Sequence, residues 1–334
     1  MFRSLLTTVL LTSLGSAAFA DEVNVYSYRQ PFLTDPVFDA FTAETGIKVN
    51  TVFAKKGLIE RLEAEGANSP ADVLLLSDIG NLDTAVAAGI AQPVSSAVLE
   101  SNIPVEDRDP DGQWFGLTNR ARVVVFNPEQ VDAGAVQNYA DLADPALDGR
   151  LCTRSGKHGY MVALIASRIA HSDEATTTEW LSGVKNNLAR KPQGGDRDQV
   201  KAVAQGECDV ALLNSYYIGA MLADEEQKTW MDGLEIVFPD QEGTGTHMNV
   251  SGVLLTAAAP NKDNAVKLME FLSGDMAQSL YAEVNHEYPV NESVTRSAVV
   301  SAWGDFEQDP LPLSDIAVHR KTASRLVDIV DYDN

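Results

Sequence analysis

The chain has 334 residues and a formal net charge of −23 at pH 7, with 48 acidic and 25 basic residues. This acidity argues against nucleic acid or an anionic membrane surface as the main partner, because both repel a negatively charged protein. A cation or a basic partner fits the charge. The length is sufficient for one large domain or for two lobes, and we favour two lobes.

The first 20 residues have the pattern of a secretory signal peptide. Arg3 precedes an apolar run at residues 5–11, and small residues lead to a predicted cleavage site after Ala20. A membrane anchor is the alternative, but the run has roughly half of the ~20 apolar residues that a bilayer crossing needs. We therefore predict that the chain is exported and that its mature part begins at residue 21.

Short β-rich runs alternate with amphipathic helical patterns from residue 21 onward. The order predicted for the first part is a strand at 22–28, a helix at 35–45, a strand at 47–53, a helix at 58–65, a strand at 72–76 and a helix at 79–88. Strands that alternate with helices predict an α/β fold.

An extended run at residues 114–126 is long enough to pass between two lobes, and we predict that it is a hinge strand. The elements predicted beyond it are a strand at 150–153, a helix at 160–170, a strand at 209–214, a helix at 216–227, a second extended run at 248–257 and a helix at 262–272. The second run would return the chain to the first lobe. The acidic tail after Leu326 is predicted to be a solvated end.

Cys152 and Cys208 are the only cysteines of the chain. In an exported protein an even pair predicts one disulfide, with two free buried thiols as the alternative. Each cysteine lies on or directly before a predicted strand, so the disulfide would hold the two strands in register.

Three tyrosines follow these two strands, at the sheet edge where ligands of open α/β sheets bind. Tyr160 opens one helix, and Tyr216 and Tyr217 open another. Phenolate is an anionic oxygen donor of the kind that ferric iron, a small hard cation, prefers. Three phenolates balance the charge of Fe(III) but fill only three of about six positions, so an added oxyanion would complete the shell. Chance would also explain an adjacent tyrosine pair in a chain with nine tyrosines, and packing would explain a half-buried Tyr160.

An oxyanion needs a cationic seat, and the planar fork of arginine suits a planar bidentate anion. Arg29 follows the first strand, while Arg120 and Arg122 lie on one face of the hinge strand. These three arginines are the candidate anion seat; for Arg120 and Arg122, ordinary solvated charges are the alternative. Tyr28, at the end of the first strand, is an additional candidate ligand for the metal.

Several segments carry a resemblance to a known family; they lie at residues 23–30, 69–74, 114–122, 206–209, 214–217 and 249–253. On these segments the whole chain after residue 20 resembles the ferric-ion-binding proteins of bacterial iron(III) ABC importers. The resemblance implies a type II periplasmic binding protein fold, with two lobes joined by hinge strands as in a lobe of transferrin.

The resemblance further implies a periplasmic carrier, not an enzyme, that binds ferric iron through Tyr160, Tyr216 and Tyr217 and delivers it to an ABC permease. Residues 28–32 contain neither a histidine nor a tyrosine at the place of the family's usual first-lobe ligand. The chain therefore looks like the three-tyrosine subgroup, in which carbonate or a similar synergistic anion assists. We expect a monomer without a nucleic-acid partner.

The predicted domain boundaries are 1–20 for the signal peptide, 21–119 for the first part of the N-terminal lobe, 120–249 for the C-terminal lobe, 250–285 for the return to the N-terminal lobe, and 286–334 for C-terminal helices that pack on the C-terminal lobe. One rival keeps the fold but binds an organic or phosphonate anion through Arg29 and Arg122. A secreted hydrolase is the other rival, although the sequence has neither a G-x-S-x-G nor an H-E-x-x-H motif.

Overall fold

A computed structural model describes residues 21–334, so the predicted signal peptide at 1–20 lies outside the described residues. Within the described range, no helix is both long enough and apolar enough to cross a membrane. Strands and helices alternate through most of this range, which confirms the predicted α/β architecture.

The strands are β1 (Glu22–Ser27), β2 (Lys48–Phe53), β3 (Val73–Leu76), β4 (Ala91–Gln92), β5 (Phe115–Phe126), β6 (Leu151–Cys152), β7 (Val210–Asn214), β8 (Glu235–Val237), β9 (Met248–Thr256) and β10 (Tyr288–Pro289). The α-helices are α1 (Pro31–Thr45), α2 (Leu58–Glu65), α3 (Ile79–Ala87), α4 (Ala97–Asn102), α5 (Gly159–His171), α6 (Glu174–Asn186), α7 (Asp196–Ala204), α8 (Ser215–Leu222), α9 (Lys262–Ser273), α10 (Asp275–Asn285), α11 (Ala298–Ser301), α12 (Leu313–Ala317) and α13 (Arg320–Ile329). Short 3-10 helices lie at Gly66–Asn68, Val105–Asp107, Ala133–Val136, Tyr139–Ala143, Pro145–Leu147 and Lys228–Met231.

The main sheet has the strand order β2-β1-β3-β9-β5-β7-β6. β1 is parallel to β2 and β3, and β6 is parallel to β7, whereas β9 and β5 run antiparallel to their neighbours. β3 is buried on both faces, because Leu74 and Leu76 pack into one core while Val73 and Leu75 pack into another. A continuous apolar run is typical of such a central strand.

β5 is the strand that joins the two lobes. Its first part, from Phe115 to Ala121, pairs with β9, and its second part, from Arg122 to Phe126, pairs with β7. We refer to the part of the sheet around β1, β2 and β3 as the first lobe, and to the part around β6, β7 and β8 as the second lobe. The long predicted hinge strand is therefore one continuous element that belongs to both.

Two helix boundaries differ by four or more residues from those predicted. α1 begins at Pro31 rather than near residue 35, because proline at the first helical position forfeits no hydrogen bond there. α8 ends at Leu222 rather than near residue 227, and the side chain of Asp224 accepts hydrogen bonds from the backbone of the next turn. Such local capping competes with continuation of the helix.

The prediction of a solvated acidic tail was wrong. Tyr332 is fully buried, and its hydroxyl lies 2.9 Å from Thr153 Oγ1. The carboxylate of Asp333 accepts hydrogen bonds from the backbone N–H of Gly156 at 2.8 Å and from Ser155 Oγ at 2.7 Å. A side chain at Gly156 would meet the Tyr332 ring at 2.7 Å, so only glycine allows this contact. The tail thus holds the loop that leads into α5.

The predicted disulfide is confirmed: Cys152, in β6, is bonded to Cys208, just before β7, with the two Cα atoms 6.0 Å apart. The bond closes a loop with a sequence separation of 56 residues. Restricting an unfolded loop of that length gives about 4 kcal/mol of stability in the chain-entropy model.

We expect the double substitution C152S/C208S to lower the free energy of unfolding by about 4 kcal/mol, because the loop regains its freedom in the unfolded chain. Urea unfolding followed by circular dichroism measures the change. A reducing agent should produce the same loss in the unmodified protein and none in the double variant; equal sensitivity of both proteins would contradict the prediction.

Candidate functional site

The three predicted tyrosines lie together at the second-lobe edge of the sheet. Tyr160 is the second residue of α5, and Tyr216 and Tyr217 are the second and third residues of α8. The hydroxyl oxygens of Tyr160 and Tyr216 are 3.2 Å apart, and the ring centroids of Tyr216 and Tyr217 are 4.2 Å apart. Parallel pairing of β6 with β7 brings the loops after both strands to one edge.

The start of α8 is also tied to the hinge strand. The backbone N–H of Ala121 donates to Ser215 Oγ at 3.2 Å. Ala121 lies between Arg120 and Arg122 in β5, so the tyrosine pair begins directly beside the two candidate arginines. The disulfide and this hydrogen bond therefore support the tyrosine cluster from opposite ends of β7.

The surroundings of the tyrosine pair favour neutral hydroxyl groups. Burial raises the pKa of Tyr216 well above 10, and the neighbouring Tyr160 and Tyr217 raise it further, while the charge of Arg120 acts in the opposite direction. Burial likewise raises the pKa of Tyr217, followed in size by the effect of Tyr160. A neutral hydroxyl must lose its proton before it coordinates a metal as phenolate, so binding would release protons.

Arg120 is the candidate arginine with an uncompensated charge. Its guanidinium donates to Ser251 Oγ at 2.7 Å and to the backbone carbonyl of Ser77, and it lies 5.4 Å from the centre of the Tyr160 ring. The side chain is 1 % exposed. Within residues 21–334 no carboxylate forms an ion pair with it. A buried and unpaired guanidinium beside the tyrosines is suited to hold an anion.

Arg29 and Arg122 are instead paired with buried carboxylates. Arg29 Nη2 lies 2.6 Å from Glu287 Oε2, and its Nη1 also donates to Glu287 Oε1 at 3.1 Å. Arg122 Nη1 lies 2.8 Å from Asp196 Oδ2 and 2.9 Å from Asn214 Oδ1. Both guanidinium groups are thereby held firmly, and most of their charge is balanced within the protein.

Sequence reasoning missed Arg154 and Asp196. Arg154 shares Asp196 with Arg122, at 3.0 Å from Asp196 Oδ1, and lies 5.1 Å from the centre of the Tyr160 ring. The available signal for Arg154 was its position, since it is a charged residue directly after the predicted strand that leads to Tyr160. Asp196 had no such signal, because its partners lie 42 and 74 residues away in the chain.

These pairings leave the tyrosine cluster in a positive environment. The four guanidinium groups of Arg29, Arg120, Arg122 and Arg154 face two buried carboxylates, those of Glu287 and Asp196. The difference is a local charge of about +2, held mainly near Arg120 and Arg154. In a partly desolvated site a charge of this sign attracts an anion strongly.

Tyr28, the fourth candidate ligand, lies on the first-lobe side of the same cleft. Its hydroxyl accepts a hydrogen bond from the backbone N–H of Leu58, at the start of α2, at 3.1 Å. Tyr28 and Tyr160 both line one open cavity of about 820 Å³. We therefore place Tyr28 across the cleft from the tyrosine cluster, and its role as a ligand stays a prediction.

His158 is part of the start of α5. Its Nδ1 accepts a hydrogen bond from the backbone N–H of Tyr160 at 3.2 Å and caps α5. Burial, helped by the charge of Arg154, lowers the pKa of His158 to about 4. A neutral imidazole with Nδ1 as acceptor orients Tyr160 without adding a charge.

The cleft between the lobes is bridged at Asp78. This side chain caps α3 by accepting from the backbone N–H of Gly80 at 2.9 Å, and it accepts from Asn249 of β9 at 2.8 Å. Arg320 of α13, a helix that packs on α5 and α6, donates to the same carboxylate at 2.6 Å. One buried acid thus joins the first lobe, a hinge strand and a helix of the second lobe.

Residues 26–279 match the family model described as bacterial extracellular solute-binding protein. The chain belongs to this family. Iron uptake protein A1 of Synechocystis sp. is 42 % identical over 98 % of this chain and 94 % of its own length.

Solved structures of similar proteins agree with this assignment. The apo ferric ion-binding protein A of Pasteurella haemolytica is 52 % identical and superposes with a TM-score of 0.89 over 94 % of this chain and 99 % of its own. A protein of Trichodesmium, solved with iron and citrate ligands, is 39 % identical with a TM-score of 0.89 over 93 % of this chain and 99 % of its own. The resemblance drawn from the sequence is therefore confirmed, as is the type II periplasmic binding protein fold.

Proposed function

We propose that this solute-binding protein captures ferric iron through the phenolates of Tyr160, Tyr216 and Tyr217 for an ABC importer. The observation that carries the proposal is the convergence of three tyrosines from two helix starts, with two hydroxyl oxygens 3.2 Å apart. Three phenolates supply three negative charges and hard oxygen donors, which match the charge and the ligand preference of Fe(III). The iron is the transported cargo, so it leaves the protein when it is delivered to the importer.

The local charge supports a synergistic anion beside the metal. Iron and three phenolates together are neutral, so the charge of about +2 from the surrounding arginines and carboxylates remains to be balanced. A dianion such as carbonate balances it and supplies two further oxygen ligands. Of the three arginines predicted as the seat, Arg120 has the uncompensated charge, and Arg154 is a fourth candidate that the sequence did not suggest. Arg29 and Arg122 would hold the seat in place through Glu287 and Asp196.

The relatives support a transport role rather than an enzymatic one, since their names describe iron uptake and ferric iron binding. We place the mature protein in the periplasm, after cleavage behind Ala20, as a monomer that delivers iron to a membrane permease. Closure of the lobes over iron would create the shape that the permease recognises, since a ligand that contacts both lobes favours the closed state.

The rival cargo, an organic or phosphonate anion, has less support. It requires Arg29 and Arg122 as the main anion contacts, but Glu287 and Asp196 already pair with these side chains. The arginine with free charge, Arg120, lies against the tyrosine cluster instead. An anion is therefore better explained as a companion of the metal than as the cargo.

Titration with a ferric salt in bicarbonate buffer tests the proposal. Tyrosinate bound to Fe(III) absorbs visible light, so we expect a coloured one-to-one complex. A protein that stays colourless at saturation would refute tyrosinate coordination. Calorimetry with a phosphonate in place of iron tests the rival, and strong heat without iron would favour it.

The complex should weaken on acidification. Because the pKa values of Tyr216 and Tyr217 are raised above 10, their hydroxyls are protonated at every pH from 5 to 8, and each phenolate formed releases one proton. Protons and iron therefore compete, and the affinity should fall by roughly tenfold for each of these two phenolates per pH unit lowered, or about 100-fold per unit. Competition with a chelator of known affinity at pH 6 and pH 8 measures this. An affinity that is independent of pH would contradict it.

A further inference from the structure

The cleft that contains Tyr160 is lined by more basic side chains than acidic ones, although the chain as a whole has a net charge of −23. The basic side chains are those of Lys55, Lys56, Lys157, Arg320 and Lys321, and the acidic ones are those of Glu60, Asp78 and Asp83. A positive cleft in an acidic protein concentrates anions, because the surrounding negative surface excludes them elsewhere.

In the described part of the chain, three of these lysines form no ion pair, and their charges outnumber the two unpaired carboxylates of the cleft, those of Glu60 and Asp83. Lys157 pairs with Asp328, and Arg320 pairs with Asp78. By contrast, among residues 21–334 no carboxylate lies within ion-pair distance of Lys55, Lys56 or Lys321, and all three side chains are exposed. We refer to these three residues as the lysine rim.

The rim has contributions from both sides of the cleft. Lys55 and Lys56 follow β2 in the first lobe, whereas Lys321 belongs to α13, which packs on the second-lobe helices α5 and α6. When the lobes approach each other, like charges are brought together and closure is opposed. An anion with several negative groups that lies between the lysines of the two lobes attracts both sides, so closure around it is favoured. Such a ligand has a higher affinity for the closed state than for the open one, which is the condition for driving closure.

The size of the cleft fits a ligand larger than a metal ion with one small anion. Its volume of about 820 Å³ lies in the range of pockets that hold organic molecules of moderate size. A ferric complex with a polycarboxylate chelator has this size and carries several carboxylates. Tyr160 of the tyrosine cluster and the lysine rim line the same cavity, so both can act on the same incoming complex.

We propose that the lysine rim, Lys55, Lys56 and Lys321, selects iron that arrives as a polyanionic polycarboxylate chelate. This inference rests on the proposed function, since the tyrosines must finally take the metal. The rim steers the chelate into the cleft and favours closure around it. Iron stays ferric in the exchange: three phenolate bonds replace carboxylate bonds, and the phenolic protons go to solvent and to the released chelator.

The rate of iron capture tests the proposal in a stopped-flow instrument. The triple variant K55Q/K56Q/K321Q is compared with the unmodified protein, using ferric citrate as the polyanionic donor and neutral tris(acetohydroxamato)iron(III) as the uncharged donor. At an ionic strength near 0.01 M, where the Debye length is about 30 Å, we expect the variant to capture iron from citrate about tenfold more slowly. Capture from the neutral donor should change less than twofold.

A matched control carries the same change in net charge elsewhere. Lys48, Lys191 and Lys267 are exposed and do not line the cleft, so K48Q/K191Q/K267Q should behave like the unmodified protein. At about 1 M salt, where the Debye length is about 3 Å, the difference between the rim variant and the others should vanish.

The outcomes separate the rim from the tyrosine site. Equal slowing with both donors, an equal effect of the control, or no slowing with citrate would overturn the role of the rim while leaving the coloured complex intact. Failure of the unmodified protein to form any coloured complex would instead overturn the proposed function, and the rim with it.

Discussion

Replacing Tyr217 with phenylalanine is expected to lower the affinity for ferric iron by at least about 100-fold. Loss of a group that only supports a metal ligand commonly costs 10–100-fold in affinity, so loss of an anionic ligand should cost more. The change also leaves iron with two phenolates and an unbalanced charge. The phenylalanine ring keeps the contact with Tyr216, whose centroid lies 4.2 Å away, so the fold should be retained. Competition with citrate, followed through the visible band, measures the loss.

Tyr288 provides the matched control for this substitution. Its hydroxyl is buried and has no hydrogen-bond partner among the described residues, and the side chain is not part of the tyrosine cluster. Y288F should therefore leave iron affinity unchanged and should not reduce stability, since no hydrogen bond is lost. An unchanged affinity in Y217F, or an equal loss in Y288F, would reject the assignment of Tyr217 as a ligand.

Replacing Asp196 with asparagine is expected to destabilise the protein by about 3–5 kcal/mol. The side chain is fully buried and pairs with both Arg122 and Arg154, and it also accepts from the backbone N–H of Asn214 at 2.8 Å. These two guanidinium charges hold the pKa of Asp196 below its usual range against the opposing effect of burial. Removal of the negative charge leaves two cations uncompensated in the interior, which is the costly way to break a buried ion pair.

Urea unfolding of D196N gives this free energy directly. Glu207, whose exposed carboxylate lies 3.5 Å from Arg190, offers the matched control, because an exposed ion pair contributes about 0–1 kcal/mol. Similar losses of the free energy of unfolding in D196N and E207Q would contradict the prediction that the buried ion pairs of Asp196 stabilise the protein more than an exposed ion pair does. Acidification should also weaken the unmodified fold: a carboxyl with a lowered pKa contributes stability above its unfolded pKa of about 3.9, and that stability is lost as pH falls toward the folded value.

Much of the fold could be predicted from the sequence because its signals are local. α2 spans the residues that its apolar spacing predicts, and the extended run predicted at 114–126 is one continuous strand, β5, that joins the lobes. These signals are the spacing of apolar residues, the glycines that end helices and the runs of β-branched residues. Each of them involves only neighbours within a few residues. The buried tail shows the limit of such signals, since the burial of Tyr332 depends on contacts with Thr153 and Gly156 far along the chain.

For the candidate site, too, one part could be predicted from the sequence and another part depends on contacts between distant residues. The sequence alone determined that Tyr160, Tyr216 and Tyr217 follow adjacent strands, because parallel strands present their carboxyl ends at one edge. Only the tertiary structure decided which of the candidate arginines has no carboxylate partner. Glu287 lies 258 residues from Arg29, and Asp196 lies 74 residues from Arg122. An ion pair depends on distance in space, which local sequence does not encode, so the three candidate arginines could be told apart only in the folded chain.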